Sequence, residues 1–465
     1  MTLAETTGLI HADLSVGANV ASAVALHANG GISSRGVMLF GAGFIVTPEE
    51  AAVMLPLPPG EGGGEGQLQH NIIRDYRNGR DLTDTPRGVK VIDLFGLSAE
   101  QVRSKFPAVY QRLLERVKPE RDAKGTSKDG AGYARFWWLH GKPRQEMRKQ
   151  LANLPRYIAT VETAKHRTFQ FLDASILPDN MLIAIASNDA FHLGVLSGRV
   201  HESWALAQGG TLEDRPRYNK SRCFETFPFP DQDTGLKPGL RERIGALAEQ
   251  IDAHRKRQQA AHPGLTLTGM YNVLEALREG RALTAKEKAI HEQGLVAVLK
   301  ELHDELDAAV LQAYGLEPGQ ATDALLAHLV ALNAQRAAEE KTGHIRWLRP
   351  EFQDPAAAKA AESKLLNQEL LAPVVTGLQA DLMLNLQPQA VPGAQAAAHQ
   401  PWPGTLPEQV RAVAQLLASA TSALPLPAIE ARFKGRGSWK KGLPRILDTL
   451  EALGRARREG EGWRG

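Results

Sequence analysis

Cysteine is almost absent from this chain of 465 residues, which contains only Cys223. A single thiol excludes a disulfide framework and a cysteine-based zinc site. The chain also has no run of about 18 apolar residues, the length that a membrane-spanning helix needs. Its first residues lack the basic and then apolar pattern of a secretory signal. The sequence therefore predicts a cytoplasmic protein.

Motifs that hold nucleotides or metals are also missing. Gly41-Ala42-Gly43 lacks the third glycine and the distal acidic residue of a dinucleotide fingerprint, so a tight turn explains it better. The EGGGEG segment at 61–66 is not followed by Gly-Lys-Ser/Thr and is typical of a flexible insert. Asp122-Ala-Lys124 resembles the end of a nuclease metal motif, but no further acid lies suitably near, which favours a solvated loop. We expect no cofactor and no metal in this chain.

Positive charge is present but unevenly spread. The formal net charge is only +3, whereas residues 131–222 carry 13 Lys and Arg against 8 Asp and Glu. Residues 431–458 carry 9 against 2. A solvated basic face would explain either patch, but the density of the second favours contact with nucleic acid.

The stretch 132–230 organises the chain. Apolar runs at 156–160 and 168–172 predict two strands around a basic insert that contains Lys165, His166 and Arg167. A buried run at 181–187 leads into a helix-like segment that ends near Trp204. Basic and aromatic side chains thus alternate with buried strands, an arrangement that offers phosphate contacts and stacking surfaces to DNA.

Several side chains in this stretch are candidate DNA contacts, although each cation could equally be a plain surface charge. On a strand, one of Trp137 and Trp138 would face the core and the other would face outward. Asn219 could bind an adenine edge or could form a turn. The candidates are Trp138, Lys165, Arg167, Arg217, Asn219, Lys220 and Arg222. His166 is interpreted as a polar loop residue, and the segment 227–230 (FPFP) as a packed domain boundary.

Helical patterns dominate outside this stretch. Residues 101–117 predict one helix with an apolar stripe, followed by a charged loop at 119–130. A stripe begins at Leu240, and the capping box Thr284–Glu287 opens a long helix that is predicted to run through Leu295 to Val310. Another helix starts at Thr322. These stripes predict a helical bundle, while a partner-binding coiled coil would need more continuous heptads.

The C-terminal part predicts a small separate domain. Residues 387–407 are rich in Pro, Ala and Gln and are typical of a linker. Helices predicted at 408–419, 427–433 and 442–453 precede a hairpin at 455–463, a pattern that indicates a winged helix. A protein-binding winged helix is the alternative to a DNA-binding one. The candidate phosphate contacts are Lys434, Arg436, Lys440 and Lys441.

Three long strings in the central stretch resemble one family: PRYIATVETAKHRTFQFLD, ILPDNMLIAIASNDAFHLGVLSGR and RYNKSRCFETFPFP. They are similar to the target-recognition region of the large MmeI-like DNA methyltransferases. In that family one chain joins adenine-N6 methylation to target recognition, often in a restriction–modification system. ADLSVGANV, YRNGRDLTDTPRGVKVIDLFGLS and GHIRWLRPEFQ fit the same family, so the resemblance covers roughly residues 10–355.

The resemblance implies an S-adenosylmethionine site and an Asn/Asp-Pro-Pro-Tyr/Phe motif in the complete enzyme. That motif holds the flipped adenine, and it occurs nowhere in this sequence. We therefore expect the catalytic domain to be absent from this chain, with a separate chain as the possible carrier of methyltransferase activity. A non-enzymatic DNA-binding specificity subunit or regulator is the alternative, and a degenerate fragment is a third.

The sequence predicts an α+β protein with a mixed α/β target-recognition domain, a helical bundle and a winged-helix-like tail. The expected divisions are an α/β segment after a missing methyltransferase domain, a target-recognition domain, a helical domain, a linker and a basic domain. They span residues 1–100, 101–235, 236–386, 387–407 and 408–465.

Overall fold

A computed structural model describes residues 17–54, 72–125, 128–212, 215–357, 400–403, 406–420, 423–434, 439–452, 456–459 and 462–464. The chain divides into two compact units, Met1–Pro355 and Ala356–Gly465. The predicted insert at 61–66 and most of the predicted linker at 387–407 lie outside the described residues. No helix in these ranges is long and apolar enough to cross a membrane.

In the described part of the first unit there are two four-stranded sheets and a two-stranded one. Its strands are β1 (Ser33–Arg35), β2 (Ile45–Val46), β3 (Ile73–Arg77), β4 (Lys90–Ile92), β5 (Arg156–Val161), β6 (Gln170–Asp173), β7 (Leu177–Pro178), β8 (Leu182–Ile185), β9 (Gly210–Leu212) and β10 (Arg215–Arg217). The sheet orders are β1-β8-β5-β6, β2-β4-β3-β7 and β10-β9. Only β3 and β7 pair in parallel among these strands.

The predicted central strands are confirmed as β5, β6 and β8. All four residues of β8 are buried, as are five of the six in β5. Burial on both faces requires an unbroken apolar run, which is the pattern that marked these segments. The register places Ile158 opposite Ile185 and Thr160 opposite Ile183.

Both large sheets combine strands from either side of residue 100. The edge strand β1 pairs antiparallel with β8, and Tyr76 of β3 is the partner of Leu177 of β7. The predicted segment 1–100 therefore shares its sheets with residues 156–185 and supplies the edge at which the candidate site lies.

Helices cover the sheets and continue beyond them. The helices of the first unit are α1 (Pro48–Met54), α2 (Gly79–Thr83), α3 (Ala99–Lys105), α4 (Pro107–Arg116), α5 (Lys118–Ala123), α6 (Lys128–Arg135), α7 (Gln145–Leu151), α8 (Ala190–Ser197), α9 (Arg199–Gln208), α10 (Lys220–Cys223), α11 (Pro238–Ala261), α12 (Leu267–Arg278), α13 (Ala285–Gly294), α14 (Val296–Ala313), α15 (Thr322–Lys341) and α16 (Pro350–Gln353). Short 3-10 turns lie at Val20–Ser22, His27–Asn29, Ala42–Phe44 and Gln232–Thr234. Together, helices and sheets give the predicted α+β class.

Two helix predictions need correction. The expected single helix over 101–117 is two helices that meet at Phe106, because the residue before a proline avoids helical geometry and Pro107 suits a first helical position. The expected loop at 119–130 instead forms α5 and the start of α6. Its Arg121 is 3% exposed and donates hydrogen bonds to backbone carbonyls, a role that a charge pattern cannot indicate.

The long helix expected after the Thr284–Glu287 capping box is also divided. The capping box is confirmed, but α13 ends at Gly294 and α14 begins at Val296. Leu295 between them adopts left-handed geometry, with φ 45° and ψ 48°. The apolar periodicity continues across the break, which is why the sequence predicts one helix there.

The second unit has its own core. Its helices are α17 (Leu406–Ser419), α18 (Leu426–Glu430) and α19 (Leu443–Ala452), and a 3-10 turn lies at Trp439–Gly442. Its strands are β11 (Gln400–Pro401), β12 (Leu424–Pro425), β13 (Phe433–Lys434), β14 (Arg457–Glu459) and β15 (Gly462–Arg464). β12, β15 and β14 form an antiparallel sheet in that order. The three predicted helices and the predicted hairpin are therefore present, but the second helix ends at Glu430, and Phe433, predicted to end it, belongs to β13.

Candidate nucleic-acid interface

A buried carboxylate lies at the end of β5 and holds two arginines from distant parts of the chain. The Glu162 side chain is 5% exposed, and its Oε1 accepts a hydrogen bond from Nε of Arg217 at 2.8 Å. The same oxygen accepts a hydrogen bond from a guanidinium nitrogen of Arg35. The two arginine side chains stay 47% and 35% exposed. One buried anion thus orients two half-exposed cations.

Local backbone contacts fix this arrangement. Arg35 ends the edge strand β1, and Arg217 ends β10. The Tyr218 N–H donates to the Glu162 carbonyl at 2.6 Å, and Thr163 forms a bridge with Arg217. The segment after β5 is therefore joined to β10 on one side, while the β5–β8–β1 pairing places Arg35 on the other.

A second carboxylate continues the row of charges. Glu225 accepts a hydrogen bond from Lys220 of α10 and another from Ser33 Oγ at 3.5 Å. Ser33 and Arg35 are two positions apart on β1, so their side chains share one face of the strand. Lys220 therefore lies on the same edge of the sheet as Arg35 and Arg217.

Arg144 adds a cation that forms no ion pair within the described ranges. It adopts left-handed geometry with φ 57°, and its Nε donates to the Gly36 carbonyl at 3.1 Å. Burial lowers the pKa of Arg144, and repulsion from nearby Arg35 lowers it further. Two like charges held this close create a position that an anion would stabilise.

We call Arg35, Arg144, Arg217 and Lys220, with Glu162 and Glu225, the β1 basic cluster. Four cations against two carboxylates leave two positive charges on its surface. Planar guanidinium groups with free N–H donors match phosphate oxygens and guanine edges. These side chains therefore suit a polyanion that also presents hydrogen-bonding base edges.

The sequence identified only part of this cluster. Arg217 and Lys220 were predicted contacts, whereas Arg35, Arg144 and the two carboxylates were missed. Arg35 stands in a three-residue strand about which local sequence gives no signal, and only the pairing with β8 brings it to Glu162. An isolated acid inside the basic insert at Glu162 was the one available hint.

Other predicted contacts lie elsewhere or face inward. The Lys165 ammonium donates to Asn272 Oδ1 at 2.7 Å and lies 3.7 Å from Glu275. Arg167 donates to Thr160 Oγ1 at 3.1 Å and to the carbonyls of Val161 and Pro216. Its guanidinium lies 5.0 Å from the Tyr218 ring centre, and burial lowers its pKa. Arg167 therefore acts as a support within the fold.

Asn219 and Arg222 flank the cluster on α10. Asn219 caps this helix, since its side chain accepts hydrogen bonds from the Ser221 N–H at 3.2 Å and the Ser221 hydroxyl at 2.8 Å. This is the turn-forming role weighed against base contact. Arg222 is exposed, and no ion pair engages it within the described residues.

The tryptophan pair lies in a turn after α6, which corrects the expectation of a strand. Trp137 is 7% exposed and packs edge-on against Tyr110, so the core role predicted for one of the pair is confirmed. Trp138 is half-buried and donates from Nε1 to the Leu97 carbonyl at 2.9 Å. His166 hydrogen bonds to Asn272 at 2.8 Å, as expected for a polar loop residue.

The predicted tail contacts lie in the second unit. Lys434 is exposed on β13, and Lys440 forms an ion pair with Glu430 at 3.1 Å. Lys441 belongs to the 3-10 turn Trp439–Gly442, whereas Arg436 lies outside the described residues.

Metal and thiol chemistry find no support in the described ranges. No group of three or more His, Cys, Asp or Glu residues there could hold a metal ion. Cys223 is buried, and burial raises the pKa of its thiol to about 11. Such a thiol is protonated at neutral pH and unreactive.

Comparison with known proteins identifies the region that carries the cluster residues other than Arg35. The family model described as "MmeI, target recognition domain" matches residues 73–231. DNA methyltransferase A of Bacillus subtilis (strain 168) is 28% identical over 141 residues, which are 30% of this chain and 13% of that protein. The chain therefore spans far less than the length of this relative.

A solved structure shares the fold. The type IIL restriction–modification enzyme MmeI, determined in complex with DNA, matches with a TM-score of 0.50 and 19% identity. The match covers 70% of this chain and 38% of the MmeI chain. At this level of identity the similarity concerns architecture.

Proposed function

We propose that this chain, whose residues 73–231 form an MmeI-like target-recognition domain, binds double-stranded DNA and selects the site at which the DNA is methylated. The observation that carries the proposal is Glu162, which holds Arg35 and Arg217 half-exposed at one edge of the domain. The MmeI structure was determined in complex with DNA, which supports a duplex as the ligand.

In this proposal the β1 basic cluster contributes both affinity for DNA and discrimination between bases. Contacts to phosphates release counterions and provide affinity that depends on salt. A guanidinium can donate two hydrogen bonds to O6 and N7 of guanine, which discriminates against a wrong base by about 1–3 kcal/mol. Glu162 restricts the directions in which Arg35 and Arg217 point, and restricted donors are what base recognition requires.

Alanine substitutions test this role. Arg35→Ala and Arg217→Ala should each weaken binding to a duplex by about 1–3 kcal/mol, measured by fluorescence anisotropy. Arg243→Ala is the matched control, because Arg243 is an arginine 56% exposed in a surface ion pair with Glu305. Equal affinities of all three variants would contradict the proposal.

We propose further that methyl transfer to adenine N6, with S-adenosylmethionine, is carried out by a catalytic part outside this sequence. The proposal rests on the resemblance and on the missing Asn/Asp-Pro-Pro-Tyr/Phe motif. The purified chain incubated with DNA and labelled S-adenosylmethionine should then transfer no label above background. Labelled adenine would show a catalytic site within the chain.

For the second unit we propose a winged helix that contacts phosphates. The order helix, strand, helix, strand, helix, strand, strand from α17 to β15 and the sheet order β12-β15-β14 support this fold. Lys434, Arg436, Lys440 and Lys441 precede α19, where phosphates meet a helix presented to DNA. The adjoining cations favour nonspecific binding over base recognition.

A further inference from the structure

Phe40 adopts a backbone conformation that bulky residues rarely adopt. Its φ is 51°, and its side chain is 39% exposed. A bulky non-glycine residue in left-handed geometry is an outlier that persists only where the surroundings hold it in place, and such outliers concentrate at functional sites. Phe40 contributes little to the core, so core packing alone does not explain its conformation.

The surroundings of Phe40 form a built support. The Phe40 ring stacks on Tyr133 with 4.5 Å between ring centres and an interplanar angle of 26°. Gly141 also lies against Phe40, since an added Cβ there would come within 2.8 Å of the Phe40 ring. A side chain at position 141 would force Phe40 to shift, so glycine allows the backbone there to approach the ring closely.

Arg121 ties this support to a second exposed ring. Its buried guanidinium donates to the carbonyls of Leu39 at 2.7 Å, Phe40 at 2.9 Å and Phe136 at 3.1 Å. Phe136 is 45% exposed. The backbone segments that carry the two exposed rings are therefore held together by one buried cation.

The charge around the two rings is positive. Arg135 lies over the Phe136 ring, 5.2 Å from its centre, and Lys142 is exposed beside Met38. Neither cation has an ion-pair partner in the part of the chain that the structure describes. The acids of the adjacent helix are neutralised, since Glu120 and Asp122 pair with Lys124 and Lys118.

This surface adjoins the β1 basic cluster. Phe40 follows Arg35 by five residues, which span at most roughly 17 Å in an extended chain. Met38 pairs with Lys142, and Gly36 accepts the hydrogen bond from Arg144, so the segments 35–40 and 141–144 run side by side. Phe40 and the cations Arg35, Lys142 and Arg144 thus lie along the same two segments.

We propose that Phe40, Tyr133 and Phe136 form an aromatic wedge whose exposed rings, Phe40 and Phe136, stack on bases at a distorted step of the bound duplex. The proposal rests on DNA being the ligand of the adjacent cluster. Apolar side chains that enter a base step unstack it and kink the duplex, and cations beside them hold the bent phosphates. A strained, rigidly supported ring suits this task because it is fixed before the DNA arrives.

The test uses the duplex that the wild-type chain enriches most strongly from a randomised pool, with 2-aminopurine placed at successive positions. Wild-type protein should raise the fluorescence several-fold at one or two adjacent positions. Phe136→Ala and Phe40→Asn should abolish the rise and weaken binding about tenfold, the effect of losing one base stack, with an unchanged salt dependence. Asn tolerates left-handed geometry, so the second variant keeps the backbone of Phe40.

Leu206→Ala is the control, since Leu206 is apolar and 54% exposed on α9. It should leave fluorescence and affinity unchanged. A duplex bound without any rise in fluorescence, or a rise kept by both variants, would overturn the wedge and leave DNA recognition standing. A protein that enriches no duplex would overturn both. Sedimentation would show whether the wild-type chain self-associates. Loss of that self-association in both variants, with the fluorescence signal unchanged, would make the rings a protein–protein contact and overturn the wedge.

Discussion

At the scale of single residues, buried carboxylates recur as anchors for arginines. Asp81 pairs with Arg87, Asp93 with Arg148, and Glu162 with Arg35 and Arg217. Removing one partner of a buried pair leaves an uncompensated charge, so such pairs fix side-chain direction even where they add little net stability. Glu162 differs because it holds two arginines that stay 35% and 47% exposed, whereas Asp81 holds one and the two beside Asp93 are 15% and 22% exposed.

Glu162→Gln should therefore reduce specificity more than affinity. The variant keeps the shape of the side chain but releases Arg35 and Arg217 from one fixed direction, and it adds a net positive charge. We expect the ratio of affinities for a selected duplex and a mixed-sequence duplex to fall about tenfold, as expected for one lost base contact. Asp75→Asn, which removes a surface pair with Lys90, is the control. Equal ratios in both variants would rule out an orienting role for Glu162.

The raised pKa of Asp307 predicts that the stability of the protein depends on pH. Asp307 lies between helices, accepts a hydrogen bond from the Arg199 N–H at 2.8 Å, and burial raises its pKa to about 6. The folded state then holds a proton that the unfolded state releases near its ordinary pKa of 3.8. This contribution to stability is complete below about pH 4 and is lost as the pH rises through about 6.

Relative to Asp307→Asn, the free energy of unfolding of the wild-type chain should fall by about 2 kcal/mol between pH 4 and pH 7. Urea denaturation of both proteins at several pH values measures this difference. The comparison with the variant removes the shared titration of other carboxylates. A constant difference between the two proteins across this range would contradict the raised pKa.

Roles set by neighbours in sequence were predictable at this scale, and roles set by distant pairing were not. Asn219 caps α10 through Ser221, two residues away, as a turn-forming asparagine should. Trp137 lies in the core as predicted for one of the pair. Arg35 and Arg144 gave no local signal, because their partners lie far away in the chain.

At the scale of elements, burial explains which predictions held. β5 and β8 are buried on both faces, so their apolar runs marked them clearly. The breaks at Phe106 and Leu295 interrupt backbone geometry without interrupting apolar periodicity, so the pattern continued through them. Pro107 was a signal for the first break, and Gly294, which directly precedes the left-handed Leu295, was a weaker signal for the second.

The second unit carries an element-scale prediction. If β13 and the turn before α19 contact phosphates, Lys434→Ala combined with Lys440→Ala should reduce the slope of log affinity against log salt by roughly 1.8, since each contact contributes about 0.9. Lys118→Ala with Lys300→Ala is the control, since both lysines form surface ion pairs within their own helices. An unchanged slope in the tail variant would point to a protein partner for the second unit.

At the scale of the whole molecule, the topology explains what sequence alone missed. The edge strand β1 joins β8 from about 150 residues later in the chain, and β3 joins β7 from about 100 residues later, spacings set by the observed registers. Such pairings depend on the global fold and leave no local pattern. The α+β class and the central strands were accessible from sequence, but the assembly of the β1 basic cluster was not.

The central claim is that the first unit reads the DNA sequence through the β1 basic cluster, and a binding selection on randomised duplexes tests it most directly. The selection compares the wild-type chain, the Arg35→Ala/Arg217→Ala variant and the Lys434→Ala/Lys440→Ala variant. We predict that the wild-type chain and the tail variant (Lys434→Ala/Lys440→Ala) enrich the same motif. The cluster variant (Arg35→Ala/Arg217→Ala) should lose its base preference at one or more positions of that motif. Enrichment of the unchanged motif by the cluster variant, together with its loss in the tail variant, would contradict the account.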